Sequence, residues 1–148
     1  MLTKKGKYGL KAAVYLARLP AGASKQVAEI AEANHIPKKF LDVILNELRN
    51  GGFLASKKGK LGGYRLGKPA EDIMVGEMIR TLDGPLAPIP CASRNAYVAC
   101  DDCDVAKCEV RRLMVRVRDA IGTVLDTCTL AEMRDLTDDT LTMFVDYI

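Results

Sequence analysis

Four of the chain's five cysteines fall within one short stretch, in the order Cys91-x8-Cys100-x2-Cys103-x4-Cys108. Thiolates this close together suit soft metal centres: an iron–sulfur cluster, zinc or copper(I). The two-residue gap lets Cys100 and Cys103 bind one centre from a single turn, and four cysteines including such a pair also suit tetrahedral zinc. With no metal, the same set could act as a thiol/disulfide switch. Asp101, Asp102 and Asp104 oppose added negative charge at the site, partly offset by Arg94, Lys107 and Arg111. An incidental cluster of thiols is the bland alternative.

A second group of residues carries a different chemistry. Residues 1–70 hold 14 Lys/Arg against 4 Asp/Glu, whereas residues 71–148 hold 8 against 15. A merely solvated surface gives no reason for the signs to separate; a nucleic-acid-binding module joined to something else does. Its candidate contacts to double-stranded DNA are Lys38, Lys39 and Phe40, then Lys57, Lys58, Lys60, Tyr64 and Arg65, with Lys4 and Lys5 adding backbone contacts. Phe40 fits a core anchor equally well. The lone His35 suits a turn or a phosphate contact better than a metal site.

The elements that must position these residues follow from periodicity. The apolar content of 49% with 5% aromatics and no Trp implies an aliphatic core, and no run approaches the roughly 20 apolar residues of a membrane span. A cytoplasmic protein is expected, with reduced thiols, so that a disulfide enters only as a regulatory bond. Leu10, Val14, Leu16 and Leu19 predict a helix from about residue 5 to Leu19, ended by Pro20 and Gly22. Ser24 is expected to cap a second helix with Val27, Ile30 and Ala31 facing inward. Pro37 suits the first turn of a third, with Phe40, Leu41, Ile44, Leu45 and Leu48 on its buried side. These two form a helix-turn-helix. Phe53–Ser56 and Tyr64–Leu66 predict two strands around a basic turn rich in glycine, the wing of a winged helix. Within that turn, Gly59, Gly62 and Gly63 permit positive φ or close approach.

A short helix ending at Gly84 and a proline-punctuated linker then lead to Cys91. From about Asp104, Val105, Val110, Leu113, Met114, Val117, Ile121, Val124, Leu125 and Cys128 recur at helical steps. Cys108 is expected in this helix's first turn, capped by Asp102 or Asp104, and Cys128 as a small core residue on the stripe. So long a stripe on a small protein predicts packing against a second copy, and a homodimer presents two reading heads to a palindromic operator. The alternative is a helix folded back on its own wing domain. The expected fold is mainly α with a small β wing. Its parts are a winged helix-turn-helix DNA-binding domain at 1–83, a linker and cysteine-rich sensor loop at 84–104, and a dimerisation helix with C-terminal tail at 105–148.

These residues resemble a known family. "TKKGKYGLKAAVYLA", the stretch from "IAEANHIPKKF" to the wing ending "GGYRL", "VGEMIRTLDGPLAP" and the cysteine loop before a long helix are similar to the IscR/NsrR/RirA/CymR superfamily of bacterial winged-helix transcriptional repressors. The resemblance covers roughly residues 1–135. It implies a dimer through the long helix and, in many members, an iron–sulfur cluster (2Fe–2S or 4Fe–4S) in the preceding loop whose state sets DNA affinity. Other members carry no cluster, and some work through another protein. Cluster-binding members usually offer three cysteines, and this chain offers one more. The histidine that some relatives place three residues after the last cysteine is Arg111 here. The early acid others use is also missing, since Tyr8 stands in that region and no acid precedes Glu29. The resemblance therefore implies Cys91, Cys100, Cys103 and Cys108 as the metal ligands, with iron, redox state or nitric oxide as the signal and zinc or no metal as the alternative. A thiol oxidoreductase using Cys100 and Cys103 is the enzymatic rival. It lacks a surrounding βαβ pattern and a second catalytic group, so no enzyme is expected. The tail "TDDTLTMFVDYI" is read as a short helix against the partner subunit.

Overall fold

A computed structural model describes residues 2–136 of the chain; the tail named above lies outside them. Six α-helices and one two-stranded antiparallel sheet make up the described part: α1 (Lys4–Ala17), α2 (Val27–Asn34), α3 (Lys38–Asn50), β1 (Leu54–Lys57), β2 (Gly63–Leu66), α4 (Val75–Asp83), α5 (Glu109–Leu125) and α6 (Leu130–Arg134). The mainly helical, winged architecture expected above is the one observed.

Helix α1 starts at Thr3, whose hydroxyl accepts a hydrogen bond from the Gly6 amide at 3.3 Å while its own amide donates to Asp83 at 2.8 Å. That pairing crosses to the end of α4, and Gly9 lets the two helices close: a Cβ there would strike Leu82. Leu10, Ala12, Ala13 and Leu16 of α1 then pack with Met78, Ile79 and Leu82 of α4 and with the buried face of α3. On α3 that face is Leu41, Ile44, Leu45 and Leu48, all exposed by 1% or less. Each such aliphatic side chain contributes roughly 1.5–3 kcal/mol by leaving water.

Three local expectations are corrected. Ser24 does not cap α2. The helix opens at Gln26, whose amide donates to Glu29 at 2.8 Å, and this hydrogen bond holds the Glu29 carboxyl below the ordinary carboxylate range. Phe40 does not join the buried side of α3 but is 62% exposed. It lies at the edge of the stripe, where helical spacing alone permits either side. The long helix starts at Glu109, not near Asp104, because residues 104–107 form a turn in which Asp104 accepts from the Ala106 amide at 3.0 Å. Cys108 is thus the N-cap itself, its sulfur accepting from the Arg111 amide at 3.4 Å.

After α5 the chain returns to the head. Cys128 lies beyond the helix end, half-buried against the core, and its carbonyl accepts from Val75 at 3.0 Å; the Leu130 amide donates to Ile73 at 2.8 Å. Helix α6 opens on a capping box between Thr129 and Glu132, and Leu130 and Ala131 are buried with α1. No residue of α5 itself is buried within the single chain.

Candidate sensor site and nucleic-acid interface

The turn between α2 and α3 runs through His35, the one non-glycine residue with positive φ (53°) among the described residues, and buried Ile36. His35 is thus a turn residue. It delivers Pro37 as the α3 N-cap, and the first turn of α3 holds no acid. Lys38, Lys39 and Phe40 stand exposed at that helix start, where unsatisfied amides favour anions. Val43 and Asn46, both exposed, continue the face opposite the core. The sequence reading had missed them, since neither is charged and an apolar residue at helical spacing reads as core. Arg49 reaches from the last turn of α3 to Asn46 and, at 3.2 Å, to Ser56 of the wing, stitching helix and wing together.

The wing pairs Leu54 with Leu66 and Lys57 with Gly63. A further bridge joins it to the head: the Tyr64 amide donates to Lys25 at 2.7 Å and the Lys25 amide donates back at 2.9 Å. Gly63 sits against this bridge with φ 126°, and a Cβ there would collide with the Lys25 backbone. Gln26 adds two hydrogen bonds of 3.1 Å, to the carbonyls of Gly59 and Gly62 at the wing turn. Lys57, Lys58, Lys60 and Arg65 are exposed around this turn, and Leu61 at its tip is 95% exposed. Tyr64 is half-buried and packs on the core, so its backbone anchors the wing. Lys4 is exposed, but Lys5 is engaged by Glu47 of α3 at 2.7 Å and braces the two helices.

The cysteine region has a buried root and an exposed loop. The chain enters it through a 3-10 turn, Pro90–Ala92, with Cys91 and Ala92 buried. Two arginines of α5 clamp this root: Arg111 Nε donates to the Cys91 carbonyl at 2.8 Å and Arg118 Nη1 to the Ala92 carbonyl at 2.6 Å. Arg94 pairs with Asp119 at 2.9 Å, tying the start of the loop to mid-helix. Residues 94–104 are exposed without exception. Within them the sulfurs of Cys100 and Cys103 and a carboxylate oxygen of Asp102 lie within 4.8 Å of one another, and the Cys100 thiol donates to Asp102 at 2.8 Å. The Cys103 thiol is pushed up to about 12, chiefly by hydrogen bonding to Cys100, then by partial desolvation and by Cys108. Cys100 and Cys108 thus both stand beside the Cys103 thiol. Buried Cys91 does not join that group of donor atoms. The donor set of two adjacent sulfurs, a third at a helix start and a nearby carboxylate fits a soft metal or a cluster.

A cavity of about 810 Å³ separates α4, the linker after it and α5, lined among others by Arg80, Leu86, Arg94, Arg118, Asp119 and Asp126. Its charged groups pair among themselves, most directly Arg80 with Asp126, which spans the two helices. This pairing holds Asp126 below the ordinary carboxylate range and raises Arg80.

Comparison with known proteins places this geometry. The profile of the Rrf2 family, described as iron-dependent transcriptional regulators, matches residues 2–135. An rrf2-like HTH-type transcriptional regulator of Rhodobacter capsulatus is 42% identical over 137 residues, covering 90% of this chain and 91% of that protein. CymR of Bacillus subtilis is 33% identical over 147 residues, 99% of each chain. Its structure, that of a global cysteine regulator, aligns with a TM-score of 0.76 over 93% of this chain and 98% of that one. The structure of IscR from T. potens aligns with a TM-score of 0.69 at 30% identity, over 90% of this chain and 85% of that one. The R. capsulatus protein and CymR are named as transcriptional regulators, and none of these relatives is named as an enzyme. No helix among the described residues is long and apolar enough to cross a membrane.

Proposed function

Since the chain belongs to the Rrf2 family of transcriptional regulators, we propose that it is a cytoplasmic, homodimeric repressor of a palindromic operator whose DNA affinity is set by an iron–sulfur cluster on its cysteine loop. The observation that carries this reading is the convergence of Cys100, Cys103 and Cys108 at the start of α5, with Cys91 at the α5-clamped root of the same loop. Cys91, Cys100, Cys103 and Cys108 would hold the cluster, which when bound supplies a charge and coordination state sensitive to iron, oxidants or nitric oxide.

The residues of the chain do the rest. Val110, Leu113, Val117, Ala120 and Val124 recur on α5 at steps of three and four, unburied in the single chain. That spacing is the seam of a helix pairing with its own copy. Lys38, Lys39, Phe40 and the wing residues Lys57, Lys58, Lys60 and Arg65 face DNA, with Lys4 on the backbone. Because Cys108 caps α5, a change in the sulfurs acts directly on the helix that joins the two heads. A coupling of about 1–3 kcal/mol changes operator occupancy roughly 5- to 150-fold.

The test is the absorbance spectrum, with iron and sulfide content, of protein purified without oxygen, beside a Cys103→Ser variant. Visible charge-transfer bands with stoichiometric iron and sulfide, lost in the variant, are the expected result, followed by operator binding that differs between cluster states. The exposed, adjacent Cys100 and Cys103 favour a second reading, a metal-free thiol/disulfide switch. It takes over if the protein stays colourless after anaerobic reconstitution and forms a reversible disulfide that alters DNA binding. Zinc in a colourless protein makes the site structural or a zinc sensor.

A further inference from the structure

We propose that Phe40 and Val43 read thymine methyl groups in the major groove of the operator. This rests on the DNA-binding reading above and names the base chemistry that the recognition helix selects. The face of α3 that serves the core is complete without either residue, since Leu41, Ile44, Leu45 and Leu48 are sealed at 1% exposure or less. Phe40 is nevertheless 62% exposed and Val43 56%. They lie one helical turn apart in the N-terminal half of α3, the part of a recognition helix that reaches base edges.

The charge around them identifies what covers them. Lys38 and Lys39 directly precede the pair and Lys57, Lys58 and Lys60 stand on the adjoining wing, outnumbering the one exposed acid between them, Asp42. A second copy of the chain meeting this face would set lysine against lysine; a polyanion meets it with complementary charge. Among the unmodified bases, the apolar group that a duplex displays in its major groove is the thymine 5-methyl. Side chains three residues apart on a helix stand about 5–6 Å apart at Cβ, between one and two base steps of about 3.4 Å. Two methyls within two base steps of each other, in each half-site, match the pair. Lys39 and Asn46 lie on the same exposed face of α3 and would supply polar contacts beside them.

The experiment uses the full chain in its tighter-binding state. A duplex is first selected from a random pool by repeated binding, and each thymine of the selected site is then replaced singly by deoxyuridine, which deletes the methyl and keeps the base pair. At one or two thymines per half-site the affinity is expected to fall about fourfold per methyl removed, as the burial of one methylene-sized group implies. Phe40→Ala and Val43→Ala, both at exposed positions, are expected to melt like the parent. Each should bind the thymine and deoxyuridine duplexes equally at the position it reads. Lys57→Gln is expected to weaken both duplexes alike. Tolerance of deoxyuridine at every position, or full discrimination retained in both alanine variants, overturns the proposal while leaving the DNA-binding assignment intact. Failure to select any duplex overturns both.

Discussion

The reading head and the cysteine loop are built on opposite physical terms. In the head, Ile30, Leu41, Ile44, Leu45, Leu48, Ile73 and Met78 are sealed from water, and backbone hydrogen bonds bridge its elements. In the loop, residues 94–104 are all exposed, with neither helix nor strand, and their tightest contacts are among thiols and carboxylates. The head is held by this packed core, which Leu130 completes after α5. The loop buries too little apolar surface to offset its own ordering entropy. A segment of that kind gains a fixed shape when a bound group cross-links it, which is what the proposed sensing role requires.

That contrast sets the sizes of the effects expected from substitution. Leu45→Ala, at a fully buried head position, is expected to destabilise the chain by about 2–5 kcal/mol in denaturant unfolding. A smaller loss would mean that the head core is looser than its packing indicates. Gly63→Ala places a side chain at φ 126° against the Lys25 backbone, for an expected cost of about 1–3 kcal/mol. Because the wing is displaced, operator affinity should fall further than stability does, which a parallel binding titration reads out.

Asp126→Asn probes the seam between head and α5. Arg80 holds the Asp126 carboxyl below its unfolded value, so the pair stabilises above about pH 4 and the contribution is lost as pH falls through the folded pKa. Both partners are more than a third exposed, which limits the expected loss at neutral pH to less than about 1 kcal/mol. The variant's acid-side melting profile should be flatter than the parent's. The smallest effect belongs to Cys103→Ser, expected to change the melting of metal-free protein by less than about 0.5 kcal/mol because the residue is exposed. Anaerobic loading should raise the melting temperature of the parent and not of the variant. A large loss from Cys103→Ser without metal would erase the distinction between the two regions.

What could be read beforehand divides along the same line. The head was legible because burial imposes periods: Leu41, Ile44, Leu45 and Leu48 announce a helix, and the glycines around Lys60 announce a tight turn. Phe40 and Val43 were ambiguous or missed because a period says that a residue is apolar, not which neighbour covers it. Cap propensity points to Ser24, but the hydrogen bond from the Gln26 amide to Glu29 starts α2 two residues later. The cysteine spacing pointed to a soft centre, but the loop has no period, so neither the turn at 104–107 nor the capping role of Cys108 could be read from it. The return of Leu130 and Ala131 to the head was invisible for another reason. Five helical residues are too few to show a face, and their partners lie over a hundred positions away on α1.

That return has a mechanical consequence. The chain leaves the head after Leu86 and re-enters it at Leu130, so α5 and the cysteine loop are a strut fastened at both ends, part of a closed kinematic chain. A strut of this kind has no free end at which torsion can dissipate. Under the proposed sensing role, a rotation started at the sulfurs would reach the head through Ile73 and Val75 as well as through the linker. By the same geometry, a head cut off at residue 83 would lose the plug that Leu130 forms in its core. Reader and handle are therefore one machine part, and neither can be swapped between relatives without recutting the other.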